Sequence, residues 1–215
     1  MNADQDDVDR RRREADEVAW LLGVLLVIQV VPAAGGKALH VLAGNVDAVS
    51  RRGAELCRSA WAFDVPRRAE LVVAAIEGGR EQQTWDNFAR AIAAASRAVL
   101  DEGAIALCTA LAAPPGPALE WIGRSRDVPD ALRHIRKEHS ADARAAHELG
   151  EALKRVRVYL LSQLDECVVE ELGMAPVAAA TDIGRLAQRH SSCIVLGNAQ
   201  FAEPTAIEDT ADQLY

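Results

Sequence analysis

Residues 71–95, LVVAAIEGGREQQTWDNFARAIAAA, decide the fold. The run from Leu71 to Ile76 is apolar and β-rich, too short for a helix of its own. It stops at Gly78-Gly79, which supply positive φ without steric cost. A helix is predicted from near Thr84. Its hydroxyl can cap orphan N–H groups, Asp86 complements the positive end of the macrodipole, and Phe88, Ile92, Ala95 and Val99 make one apolar stripe. That helix is expected to run to Leu100 and to end at Asp101-Glu102-Gly103, with the glycine as left-handed cap, before a strand over residues 104–107. Strand, helix and strand in this order form a βαβ unit and predict a parallel sheet.

Open α/β sheets bind ligands outside the carboxyl ends of their strands. Gln83, Asn87 and Arg90 fall at i, i+4 and i+7 on a face beside the apolar stripe, so a cation and two amides stand where a carboxylate would bind. An ordinary βα turn with a solvated polar face has the same spacing, and spacing alone favours that reading, because two glycines after a strand are common loop chemistry. Residues 112–117 carry three prolines that cannot donate ladder hydrogen bonds, and they make the second wall of any crevice. Trp85 stands at that crevice.

Outward from this core, residues 18–31 form an apolar run broken at Gly23. It mimics a secretory signal, but Glu14, Asp16 and Glu17 separate it from the preceding arginines, and it is shorter than the roughly 20 residues of a membrane span. It therefore reads as a helix end over 18–22 and a core strand over 24–31. With a turn at Ala33-Ala34-Gly35-Gly36 and a second strand over 38–42, an amino-terminal hairpin is expected. Residues 46–61 have helical spacing. Further helices are predicted over 118–123, 128–137, 142–154, 165–172 and 181–190, and strands over 156–161 and 193–196. Residues 203–215 read as a frayed acidic tail. The expected class is α/β, a mostly parallel sheet flanked by helices in three layers.

Composition narrows function. A net charge of −8 over 215 residues argues against nucleic acid, which draws on clustered Lys and Arg. Arg10 to Arg13 are bracketed by acids, so the local field is mixed, and no membrane partner is expected either. Cys57, Cys108, Cys167 and Cys193 are widely spaced with no C-x-x-C pair, which fits a reducing cytoplasm and no zinc site. Cys108 and Cys193 read as inert filling of buried strands. His40, His134, His139, His147 and His190 form no metal-binding spacing, no G-x-S-x-G elbow surrounds a serine, and no P-loop follows the glycines.

Four stretches, in order, carry a resemblance: residues 17–57 (EVAWLLGVLLVIQVVPAAGGKALHVLAGNVDAVSRRGAELC), 69–95 (AELVVAAIEGGREQQTWDNFARAIAAA), 101–116 (DEGAIALCTALAAPPG) and 192–205 (SCIVLGNAQFAEPT). Together they resemble the carboxyl-terminal part of the lactate racemase family, the nickel-pincer-nucleotide 2-hydroxyacid racemases and epimerases. The resemblance runs from about Asp7 to Thr205. It implies that residues 1–215 are a single carboxyl-terminal domain and that the amino-terminal domain, which holds the nickel-pincer nucleotide through histidines and a modified lysine, is absent from this chain. In the family the metal pincer takes a hydride from the substrate α-carbon and returns it to either face.

The resemblance also places Asp86 where the family has tyrosine, Asn87 where it has glutamine and Arg90 where it has lysine. With Gly78, Gly79 and Gln83 these make the implied substrate site, and Arg90 is the implied catalytic group. Arginine suits bidentate carboxylate pairing better than lysine and proton transfer worse, because its guanidinium stays charged. The substrate implied is a small 2-hydroxyacid or sugar acid. The partner implied is a cofactor-bearing amino-terminal domain or a second copy, and no cofactor is expected on this chain alone. A non-catalytic α/β interaction module of the same family is the alternative, and a nucleotide-binding domain using the same turn is a further one.

Overall fold

The computed structural model describes residues 10, 13–15, 17–125 and 140–207. The helix expected over 128–137, together with His134 and His139, lies outside them. The chain divides into two compact units: residues up to Ala33 with Lys37–Ala60, and Ala34–Gly36 with the chain from Trp61 onward.

In the first unit β1 (Val27–Pro32) and β2 (Ala38–Gly44) pair antiparallel, Val30 opposite Val41 and Gln29 opposite Leu42, as the hairpin pattern predicts. Helix α1 (Val46–Trp61) starts at Asn45, whose Oδ1 accepts from the Asp47 N–H at 3.0 Å. Gly53 lets α1 approach the hairpin: a Cβ there would lie 2.3 Å from Gln29 Oε1. The core reading of residues 18–31 needs correction. Val31 is fully buried, but Trp20 is 80 % exposed, Leu25 90 % and Ile28 68 %. A two-stranded ribbon has two faces, and alternation puts Ile28 and Val30 on the one opposite Val31. No described helix is long and apolar enough to cross a membrane.

The second unit follows the βαβ expectation. Strand β3 (Ala62–Val65) precedes β4 (Ala69–Ala75); then come α2 (Trp85–Ala98), β5 (Val99–Cys108), α3 (Pro117–Arg124), α4 (Ala143–Leu153), β6 (Arg157–Leu161), α5 (Glu166–Glu171), β7 (Ala175–Pro176), α6 (Ala180–Ala187), β8 (Cys193–Leu196) and β9 (Glu203–Ala206). Five strands form one parallel sheet in the order β7-β6-β5-β4-β8. Alternation sends Val72, Ala74, Ile105, Leu107, Val158 and Leu160 to one face, where they pack with α2, α3 and α4. Leu71, Val73, Ala104 and Ala106 go to the other face, against Ile183 and Leu186 of α6. Three layers result.

Helix α2 is built as its sequence prescribes. Thr84 Oγ1 accepts from the Asn87 N–H at 3.2 Å, and Phe88, Ile92 and Ala95 are fully buried with a run of alanines that lets the helix lie close on the sheet. Its end differs from expectation. The helix stops at Ala98, β5 begins at Val99, and the register with β4 slips between Ala69↔Val99 and Leu71↔Ala104. The left-handed residue is Glu102, with φ 63°, and not Gly103. Glycine serves position 103 for a different reason: a Cβ would meet Glu70 O at 2.7 Å and Leu100 O at 2.9 Å.

Strands β3, β7 and β9, and the role of Asp142, escaped the sequence reading. Residues 203–206, taken as frayed tail, form β9, which pairs in parallel with β3 and buries Pro204 and Ala206. Asp142, read as a helical residue, is buried. It accepts from the Leu119 N–H at 2.9 Å and from Ser140 Oγ, and so caps α3 from outside that helix. Cys193 also differs from expectation: it is exposed on its edge strand. Partial burial nevertheless raises both its thiol pKa and that of Cys108, which opposes thiolate formation.

The start of β4 is tied to the approach to β8. The Glu70 carboxylate accepts from Ser191 N at 2.8 Å and Ser191 Oγ at 2.7 Å, and these bonds, aided by His190, hold its pKa below the ordinary 4.5. A depressed carboxyl pKa contributes stability above the unfolded value, and that contribution is lost as pH falls through the folded value. Glu70→Gln is therefore expected to lower the melting temperature at neutral pH and to flatten its fall below about pH 4.5. An acid limb as steep as that of the parent would remove the clamp from the account.

Candidate functional site

The carboxyl ends of β4, β5 and β6 lie side by side and open into a cleft of about 570 Å³. Gly78, Gly79, Arg80 and Gln83 line it from the segment after β4; Ala110, Ala112 and Ala113 line it after β5, and Gln163 after β6. This is the sheet edge at which α/β proteins bind small ligands.

Gly78 turns the chain away from the strand. Its φ is 108°, and a Cβ there would sit 2.6 Å from Gln82 Cγ. Gly79 is extended, with φ −73° and ψ −174°, so only the first glycine of the pair uses the positive region. Gln83 then acts as a staple. Its Oε1 accepts from Thr109 Oγ1 at 2.7 Å and from Ala110 N at 2.9 Å, while Nε2 lies 3.4 Å from the carbonyl oxygens of Ile76 and Gly78. Both ends of that amide are used to join the turn after β4 to the end of β5. Trp85 fixes the opposite wall: its Nε1 donates to the Ala113 and Pro114 carbonyls, each at 3.0 Å, and its ring stands edge-on to Phe88 with centroids 5.0 Å apart.

The residues expected on the helix face are committed elsewhere. Asn87 Nδ2 donates to Gln82 O at 2.8 Å and to Gln82 Oε1 at 3.0 Å. Arg90 Nε pairs with Asp86 Oδ2 at 3.0 Å, one turn apart on the exposed side of α2, and Arg144 stands 3.7 Å from the other carboxylate oxygen. Pairing at i, i+4 is the default for opposite charges on a helix. None of Asp86, Asn87 and Arg90 lines the cleft, whereas Gly78, Gly79 and Gln83 do.

Arg80 is the cation the structure puts in the cleft. Its guanidinium has no hydrogen-bond or ion-pair partner among the described residues. The signal was in the sequence, because an arginine directly follows the glycine pair. Helical spacing gave it no weight, since residues 80–82 form a separate 3-10 turn ahead of α2. An unpaired guanidinium is a bidentate receptor for a carboxylate and, being always charged, is no proton donor. Among the described residues no group of three or more His, Cys, Asp or Glu side chains is placed to hold a metal ion.

Neither a family model nor a curated protein matches the chain by sequence. Its fold is similar to that of the lactate racemase apoprotein from Thermoanaerobacterium thermosaccharolyticum, with a TM-score of 0.75 and 16 % identity over 86 % of this chain and 47 % of that one. It is also similar to a structural-genomics crystal structure of a Thermotoga maritima protein, with a TM-score of 0.59 and 11 % identity over 84 % of this chain and 49 % of that one. The chain thus spans about half the length of each, and at these identities the likeness is one of fold.

Proposed function

We propose that this chain is the substrate-binding lobe of a lactate-racemase-like isomerase, which binds the carboxylate of a 2-hydroxyacid and turns it over only with a second, cofactor-bearing lobe. The observation that carries the reading is Arg80, a guanidinium unpaired among the described residues, in a cleft at the carboxyl edge of a sheet whose fold resembles lactate racemase. Arg80 takes the role first sought at Arg90. Gln163, whose side chain has no partner among the described residues, stands across the cleft with an amide for the substrate's 2-hydroxyl. Asp86, Asn87 and Arg90 shape the helix that carries the wall.

The described residues do not fit a nickel-pincer nucleotide. His40, His147 and His190 belong to β2, α4 and the segment after α6, with no cluster of metal-ligating side chains among them. The hydride chemistry belongs to the partner lobe, and binding and orientation to this one. Mixing the purified chain with a nickel-cofactor-loaded amino-terminal lobe of a lactate racemase and following 2-hydroxyacid racemisation tests the pairing. Racemisation that requires both components is expected; no complex and no turnover would count against it.

A second reading has its own observation. Trp20, Leu21, Leu22, Leu25, Ile28 and Val41 are all more than half exposed in the first unit, and large exposed apolar patches mark interaction sites. Such a face suits an interaction module as well as a lobe awaiting its partner. An oligomer with no affinity for hydroxyacids would favour the module.

A further inference from the structure

At the edge of the sheet opposite the Arg80 cleft, where β5 and β6 begin, lies a second and larger cavity of about 650 Å³. Gly103 and Ala104 of β5 line it with Arg157 and Tyr159 of β6, and the ends of α4 and α6 close its sides. A volume of that order admits a whole small ligand.

The cavity is basic in an acidic protein. The chain has a net charge of −8, yet Lys154, Arg155, Arg157, Arg189 and His190 line this space, against Glu102 as the one carboxylate among the described lining residues. The acids beside it are already engaged. Glu151 pairs with Lys154 at 2.8 Å and Asp101 with Arg155 at 2.6 Å, while Glu70, 3.7 Å from His190 Nδ1, accepts from Ser191. Arg157 and Arg189 have no such partner: neither side chain makes a hydrogen bond or ion pair among the described residues. Cations at helix carboxyl ends ordinarily complement the macrodipole, and Lys154 and Arg189 stand at such ends. Arg157 does not. It opens a strand, is exposed, and by alternation shares the sheet face on which Tyr159 packs with α6.

A guanidinium fork pairs two anionic oxygens. Two unpaired forks at one cavity therefore suit two linked anionic groups, which a diphosphate has and a lone carboxylate lacks. Tyr159, Leu186 and Arg189 also border an adjoining hollow of about 470 Å³, together with Pro176 and Val177. Glu166 and Asp182 belong to that hollow, so the anionic end of a ligand is favoured on the Arg157 side and an organic end beside Tyr159.

We infer that Arg157 and Arg189 form a diphosphate-binding site at the amino edge of the sheet, for free diphosphate or for the diphosphate of a nucleotide. It shares no residue with the Arg80 cleft and stands or falls separately from the substrate-binding reading.

Calorimetric titration of the full chain at low salt with pyrophosphate, ADP and inorganic phosphate tests the inference. Both diphosphates are expected to bind, and phosphate about tenfold or more weaker, since it engages one fork. The double variant Arg157→Ala, Arg189→Ala is expected to weaken both diphosphates at least about tenfold with an unchanged melting temperature, because both side chains are exposed. Equal affinity for pyrophosphate and ADP would support recognition of the diphosphate alone, and tighter ADP would support a nucleotide lying over Tyr159. Absence of binding by both, a double variant that binds as the parent does, or phosphate as tight as pyrophosphate would overturn the site. A loss confined to Arg80→Ala would also overturn it, by moving the anion to the opposite edge.

Discussion

Arg80→Ala is expected to weaken binding of a 2-hydroxyacid to the isolated chain by roughly 10- to 150-fold, the equivalent of the 1.5–3 kcal/mol that a hydrogen-bonded charge contributes. Arg90→Ala is expected to change the same affinity less than about twofold, since an exposed i, i+4 pair contributes only a few tenths of a kcal/mol to the fold and nothing to the cleft. The two arginines therefore separate the two placements of the site. Arg90 already has Asp86 at 3.0 Å, and a carboxylate ligand would have to displace it. Arg80 has no such competitor among the described residues. Titration of both variants with one acid decides the matter: a larger loss in Arg90→Ala would return the site to the exposed face of α2.

Phe88→Ala is expected to cost about 3–5 kcal/mol of stability in urea denaturation, the range for deleting a fully buried aromatic. Phe88 is 0 % exposed and lies between the sheet and Trp85, and Trp85 is the side chain that holds the Ala113 and Pro114 carbonyls. Its loss therefore undermines the cleft wall as well as the core. The expected companion effect is weaker ligand binding, with Trp85 no longer fixed. A loss below about 1 kcal/mol would mean that α2 is held by something other than its apolar stripe.

Phe88 was readable from the sequence as core, whereas Arg80 was not readable as a cleft residue. The βαβ unit was legible because each of its signals is local. An apolar run too short for a helix, a glycine that only positive φ explains, a threonine cap and a stripe at 3.6-residue spacing all act within a few residues of one another. The hairpin and α1 were legible for the same reason. The boundary near residue 100 was not, because the glycine at 103 answers to the carbonyl of Glu70 across the sheet and not to the end of its own helix. β9 was missed likewise: EPTA has no strand pattern of its own and becomes one only against β3.

For the candidate site the division is finer. Gly78, Gly79 and Gln83, expected at the turn after the strand, line the cleft. Asn87 and Arg90 were chosen for the face they share with Gln83, and Asp86 through the resemblance, but neither a face nor a resemblance says whether a group is free. Asp86 and Arg90 satisfy each other, and Asn87 satisfies Gln82. Arg80 was passed over because it lies in a 3-10 turn ahead of α2, where periodicity has nothing to measure.

What the chain's sequence determined by itself is therefore the α/β class, the order of its central strands and helices, and the edge of the sheet at which a ligand would sit, since these follow from propensity, capping and alternation over short spans. Only the tertiary structure decided which polar groups at that edge remain unpaired, because whether a guanidinium or a carboxylate is available depends on partners brought close by the sheet and distant in the chain. Gln200, 123 residues from the Glu77 carbonyl it holds, is the plainest case.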